Sequence, residues 1–193
     1  MIQVTSTEIE GREDVELVAM AKTEPEQYRF LMERYQERLF RFVRRISQLP
    51  TEDVEDILQE TFVKMYRNLN DYDPELKFSS WAYRIAHNAA IDHLRKMNVR
   101  PKQVDIEDAE YAKLLTSSVN VVDEIATRDM VGRMRTAIGL LPMKYREVLI
   151  LRFIEEKSYE EIMDILKKPK GSIATLIDRG RRMLAERVGG NIV

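Results

Sequence analysis

The sequence predicts an all-α protein made of two small helical domains joined by an acidic linker. Three observations carry that prediction. Apolar residues recur at helical spacing through long stretches of the 193 residues, as in Phe30, Leu31, Tyr35, Leu39, Phe42, Val43 and Ile46. Glycine and proline are sparse, at 7 and 6, and strand-type alternation is nowhere sustained. Between the helical blocks, Gln103 to Glu124 holds six acidic residues against a single lysine and keeps no helical period.

Residues 1–12 read as a loose polar tail, and a helical domain is expected over 13–99. Leu49-Pro50 breaks its first long helix, and Thr51 can cap the next, with Glu52 and Asp53 at the positive end. Val54, Ile57, Leu58, Thr61, Met65 and Leu69 form the apolar stripe of that second helix. Asn70 to Lys77 has turn composition, and Ser79 or Ser80 can cap a third helix running to about Lys96. Residues 100–124 form the linker, and a second domain spans 125–193. Its first helix carries Ile125, Met130, Met134, Ile138 and Leu141, and Pro142 starts another.

Composition narrows the function classes. There is no cysteine, which removes disulfides and thiolate metal sites. No apolar run reaches the roughly 20 residues of a membrane span, and the polar, acidic N-terminus lacks a signal-peptide layout. A cytoplasmic protein without membrane insertion is expected. The two histidines, His87 and His93, are six residues apart rather than four, so they do not form a metal pair on one helix face. With neither a phosphate-binding glycine loop nor a nucleophile elbow, the expectation is a non-enzyme with no cofactor and no metal. The net charge of −2 hides a basic end: Lys167 to Arg187 holds seven basic residues against Asp178 and Glu186.

That end has the layout of a DNA-binding helix-turn-helix. Ser158-Tyr-Glu-Glu161 is a capping box, and Lys167 to Gly171 makes a turn. Ser172 can cap the last helix, whose inner face is Ile173, Leu176, Ile177, Gly180 and Leu184. Its outer face carries Ala174, Thr175, Asp178, Arg179 and Arg182 and would enter a major groove, with Lys168 and Lys170 at the helix mouth. In the first domain, Trp81, Arg84, Asn88 and Arg95 fall in one stripe, a combination that suits unstacked bases. On spacing alone, Trp81 in the core with the arginines as ordinary surface charge stands equally open.

Two long segments resemble one family. ETFVKMYRNLNDYDPELKFSSWAYRIAHNAAIDHLRK resembles the second conserved region of sigma-70-type RNA polymerase sigma factors. LPMKYREVLILRFIEEKSYEEIMDIL followed by KGSIATLIDRGRRML resembles their fourth. Their order, with no room for a third-region domain, is that of the small extracytoplasmic-function (ECF) group. The resemblance implies a factor that binds core RNA polymerase and directs promoter-specific initiation in a stress or envelope response. Asp53, Glu55, Asp56, Gln59 and Glu60 are then the surface docking on the clamp helices of the largest subunit, and the C-terminal domain meets the flap of the second-largest.

Promoter DNA is the second implied partner. Asn70, Asp71, Tyr72, Lys77, Trp81, Arg84 and Asn88 are implied to read the −10 element, with Arg95, Lys96, Arg100 and Lys102 on nearby phosphates. The −35 element falls to Lys168, Lys170, Ser172, Thr175, Asp178, Arg179 and Arg182. An anti-sigma factor is a further implied partner. The linker acids Asp105, Glu107, Asp108 and Glu110 are implied to thread a basic polymerase channel, or simply to keep a tether soluble. The recognition helix departs from the family, which often has basic residues at the positions of Ala174 and Leu176 and a histidine at that of Asp178. Two other readings remain at this stage, a stand-alone helix-turn-helix regulator and a sigma mimic that sequesters an anti-sigma factor.

Overall fold

The computed structural model describes residues 11–97, 134 and 136–188, and among these no strand occurs. In chain order come α1 (Asp14–Thr23), α2 (Tyr28–Ser47), α3 (Thr51–Arg67) and α4 (Phe78–Lys96). Single 3-10 turns at Pro25–Gln27 and Leu69–Asp71 join the first and last pairs. After residues 136–139, which are helical, follow α5 (Met143–Phe153), α6 (Tyr159–Leu166) and α7 (Lys170–Val188). The linker 100–124 and the expected core positions Ile125 and Met130 lie outside the described residues.

Every apolar position named above for α2 and α3 is buried, with Leu39, Phe42, Val43, Ile46, Val54, Ile57 and Met65 fully inaccessible. Helix starts differ from expectation. Thr51 does not cap α3; Pro50 occupies the cap position in extended backbone, and Thr51 is already helical. Lys77 is the cap residue of α4, so Ser79 and Ser80 lie within its first turn. α4 turns helical at Phe78, whose inward side chain is 2% exposed, whereas Thr51, the first residue of α3, is itself exposed. A hydroxyl one or two residues later has no extended backbone from which to reach back to the amides.

The halves are not held apart. α5 packs on α2, α6 lies along α4, and the buried residues of both halves form one continuous core. Arg146, buried in α5, joins them: its guanidinium donates to the Ile46 carbonyl at 3.0 Å and to the Leu141 carbonyl at 2.9 Å. The Ile46 carbonyl belongs to the last turn of α2, where carbonyls lack helical partners and a cation is favoured.

Within the C-terminal half, α7 crosses α5 at Gly180. A Cβ there would sit 3.1 Å from Leu149 Cδ1, 3.2 Å from its Cγ and 3.4 Å from Tyr145 Cβ. Leu149 is itself 1% exposed and has little room to give way. Gly180→Val is therefore expected to lower stability by about 1–3 kcal/mol through overpacking, despite valine's better helix propensity. A shift in the urea midpoint at constant slope checks it.

Candidate nucleic-acid interface

The helix-turn-helix forms as read. Ser158 Oγ accepts from the Glu161 amide at 3.2 Å, and the Glu161 carboxylate accepts from the Ser158 amide at 2.8 Å. α6 ends at Lys167, whose φ of 52° is left-handed, and Pro169 leads into α7. Ser172 does not cap α7, which begins two residues earlier: the Ser172 and Ile173 amides already donate to the Pro169 carbonyl. Ile173, Ile177, Gly180 and Leu184 are buried and Leu176 is half-buried. Ala174, Thr175, Asp178, Arg179 and Arg182 face solvent.

Two side chains of that outer face are already engaged. Thr175 donates its hydroxyl to the Gly171 carbonyl at 2.8 Å. Asp178 pairs with Arg182 at 2.6 Å one turn on, so its carboxylate steadies an arginine as well as facing outward. Lys168, Gly171, Ser172, Thr175 and Leu176 line an open concavity at the helix mouth. Lys170 pairs with Glu160 at 3.2 Å.

The first half divides its expected site. On α3, Glu55, Asp56 and Gln59 are exposed. Asp53 lies 3.8 Å from His93, and Glu60 pairs with Lys64 at 2.8 Å. The Lys64 ammonium holds the Glu60 carboxyl below the usual carboxylate range. On and before α4, Asn70, Asp71, Lys77, Asn88, Arg95 and Lys96 are exposed. Tyr72 and Trp81 are not. Both are buried, at 3% and 6% exposure, in an aromatic cluster with Phe78 whose ring centroids stand 5.3–5.5 Å apart. These two residues fix the 70–77 loop from beneath, and Tyr72 also donates its hydroxyl to the Leu76 carbonyl at 2.5 Å. Arg100 and Lys102, with the linker acids Asp105, Glu107, Asp108 and Glu110, lie outside the described residues.

Arg84 is half-buried against the other half, paired with Asp164 of α6 at 2.8 Å. Around it runs a seam that sequence reasoning missed. Glu147 of α5 accepts from His87 Nε2 and from Lys168 Nζ, each at 3.0 Å. Burial works to raise the Glu147 pKa, but His87 and Lys168 outweigh it and hold the carboxyl below its usual range. Its contribution to the seam is thus present above the ordinary carboxylate range and is lost as pH falls through that lowered pKa.

Glu155 accepts from Tyr83 at 2.6 Å and pairs with Arg45 at 2.7 Å. Burial, and then the Glu155 charge, push the Tyr83 hydroxyl pKa well up. Lys77 reaches Glu161 at 3.3 Å, and Lys157 lies 4.5 Å from the Tyr83 ring centroid. The one signal in the sequence was Arg146-Glu147 directly before the apolar run Val148 to Leu151, a placement that is costly unless both charges find partners.

Comparison with known proteins gives this geometry a family. Residues 31–100 match the family Sigma-70 region 2, and residues 132–184 match Sigma-70, region 4. The ECF RNA polymerase sigma factor SigW of Bacillus subtilis is 36% identical over 143 residues, covering 70% of this chain and 75% of that protein.

The chain belongs to the ECF sigma factors of RNA polymerase.

The ECF RNA polymerase sigma-E factor of Escherichia coli K12 is 31% identical to this ECF sigma factor, over 86% of this chain and 89% of that one. Among solved structures, CnrH in complex with the cytosolic domain of CnrY shares the fold at a TM-score of 0.65 and 24% identity, over 93% and 99% of the two chains. The sigma factor RpoE of Bartonella quintana, in complex with the anti-sigma factor NepR, shares it at 0.65 and 21%, over 86% and 98%. The function of this sigma factor is promoter-directed initiation of transcription. Among the described residues no helix is long and apolar enough to cross a membrane.

Proposed function

We propose that residues 13–99 dock on the polymerase clamp helices and melt the −10 element, while residues 125–193 read the −35 element and meet the flap. The supporting observation is that two helix faces stay free of the seam, the acidic face of α3 and the outer face of α7. Glu55, Asp56 and Gln59 suit a basic partner surface, where charge complementarity steers association. Arg179 and Arg182 suit phosphates or guanine edges in a major groove, with Thr175 offering a methyl contact. Asn88, with Arg84 once uncovered, Asn70 and Asp71 would hold an extruded base, and Lys77, Arg95 and Lys96 would lie along the phosphates. Tyr72 and Trp81 support this site from below.

In this reading the protein works in the cytoplasm and is not an enzyme, since polymerisation chemistry stays with the polymerase. An anti-sigma factor is a further proposed partner, supported by the partners that CnrH and the Bartonella RpoE hold in their structures.

In vitro transcription from a promoter library with bacterial core polymerase, with and without this chain, tests the proposal. Transcripts that depend on the chain are expected. Tight sequence-specific duplex binding without polymerase, and no transcripts with it, would contradict it. The triple variant Glu55→Lys, Asp56→Lys, Gln59→Lys is expected to weaken core binding by about 10- to 100-fold, because like charges then meet across the contact. Unchanged binding in a fluorescence titration would remove α3 from the polymerase surface.

A further inference from the structure

α1 carries none of the residues assigned above to polymerase or DNA, yet it docks beside the loop that holds Asn70 and Asp71. A ten-residue helix is too short to persist alone, so its docking holds it. Leu17, Val18 and Ala21 are buried, and the helix meets both α4 and the Leu69–Asp71 turn. Its start is fixed by the Glu16 carboxylate, which accepts from the Glu13 amide at 3.1 Å. That start sets Asp14 in the first turn, where its carboxylate accepts from the Tyr35 hydroxyl and pairs with Arg34 at 2.9 Å. Arg34 also donates to the Arg12 carbonyl at 2.8 Å, closing a clasp around the beginning of α1. From Asp14 the contacts run on to the loop. The Tyr35 ring meets Phe78 edge-on at 5.3 Å, and Phe78 meets Tyr72 edge-on at 5.3 Å. Burial, and then the Asp14 charge, push the Tyr72 hydroxyl pKa up, so Tyr72 stands within the field of that carboxylate. Near the other end of α1, Lys22 Nζ donates to the Asn70 carbonyl at 3.5 Å.

We propose that α1 is the positioning element of the base-holding loop, with Asp14 acting through the Tyr35 and Phe78 rings and Lys22 through the Asn70 carbonyl. The inference rests on the reading above of Asn70 and Asp71 as holding an extruded base. Capturing a base must offset lost stacking, so a loop already held in its bound shape loses less on ordering. Asp14 and Lys22 stand about 12 Å apart along the helix axis, at the rise of an α-helix. One rigid rod thus ties the loop at two separate points, Asn70 and Tyr72. Asp14 and Lys22 are positioning residues, since neither needs to touch DNA to act.

Millisecond hydrogen exchange on the free full chain tests the brace without reference to any DNA. Tyr35→Phe keeps the ring and removes only the hydroxyl that ties α2 to Asp14. It should lower protection of the Asp71, Tyr72 and Leu76 amides, which donate to the Asn68, Leu69 and Asp73 carbonyls, by about 10-fold. Asp14→Ala should do the same, and the two together little more, because both cut one tie. Ile57→Val, which loosens the buried face of α3 instead, should leave those amides as protected as in wild type. Unchanged protection in Tyr35→Phe, or an equal loss in Ile57→Val, would overturn the brace. Fully additive losses would overturn the route through Tyr35.

The second arm uses Lys22→Ala, at an exposed position, beside Tyr35→Phe. Each is assembled with core polymerase on a promoter recovered from the library above. Both variants should keep wild-type affinity for core polymerase. Discrimination between that promoter and single-base changes in its −10 element should fall by about 5-fold, at an unchanged salt slope. Equal weakening on every sequence, with a slope smaller by about one, would make Lys22 a phosphate contact and overturn its positioning role. Undiminished discrimination in both variants would sever α1 from base capture. Failure of the sigma reading would show separately, as absence of transcripts with the wild-type chain and core polymerase, while the exchange results stand.

Discussion

Trp81→Ala should destabilise the N-terminal half by about 3–5 kcal/mol, the usual cost of truncating a large buried aromatic. Trp81 contacts the rings of Tyr72 and Phe78, and Phe78 in turn meets Tyr35 edge-on at 5.3 Å. Removing the indole opens a void at the junction of α4 with the loop that carries Asn70 and Asp71. Urea unfolding followed by circular dichroism checks the size of the effect. Trp81→Phe separates support from base contact, since phenylalanine keeps most of the ring packing and lacks the indole N–H. Promoter melting, read by permanganate footprinting, should survive Trp81→Phe. A phenylalanine variant of undiminished stability that no longer melts DNA would put Trp81 back on the base-reading surface. The chain's single tryptophan also reports directly, because a buried indole emits to the blue of an exposed one.

Arg146→Ala is the second large effect, at about 3–4 kcal/mol. Arg146 is 4% exposed and serves two carbonyls, one of them across the seam. Hydrogen bonds to a charged donor contribute about 1.5–3 kcal/mol each, and truncation leaves both carbonyls buried without that donor. Arg146→Lys should recover only part of the loss, because an ammonium lacks the planar fork that spans two acceptors. Arg146→Met keeps the volume and loses every donor, so it separates packing from hydrogen bonding. In urea melts the expected order of stability is wild type, lysine, methionine, alanine. A methionine variant as stable as wild type would show that Arg146 acts by filling space.

Much of this fold was legible because helical periodicity reports burial directly. The apolar faces of α2, α3 and α7 and the Ser158 capping box were all readable from spacing. Spacing left the stripe of Trp81, Arg84 and Asn88 open between core and surface for a definite reason. A helical wheel separates one face from another, but it treats every polar face as facing water. α4 has α3 on one side, the 70–77 loop beneath it and α6 along another, so an aromatic and an arginine of the same stripe meet quite different surroundings. Only Asn88 of the three stands open to solvent. Most of the seam was illegible for a related reason: Asp164 and Glu155 have the composition of a solvated face, and nothing local marks a carboxylate whose partner lies 72 to 110 positions away in the chain.

That separation sets a timetable for synthesis. Arg45 and Glu155 are 110 residues apart in sequence, and Arg146 and Ile46 are 100. At about 5–20 residues per second, the ribosome leaves a wait of roughly 5–20 s between the first member of such a pair and the second. Throughout that interval α1 to α4 can already bury Leu39, Phe42, Phe78 and Trp81 among themselves. Arg45, Arg84 and His87 meanwhile remain without their partners from α5 and α6 and the turn between them. The nascent N-terminal half is thus a folded, cation-bearing surface for several seconds before its own lid exists.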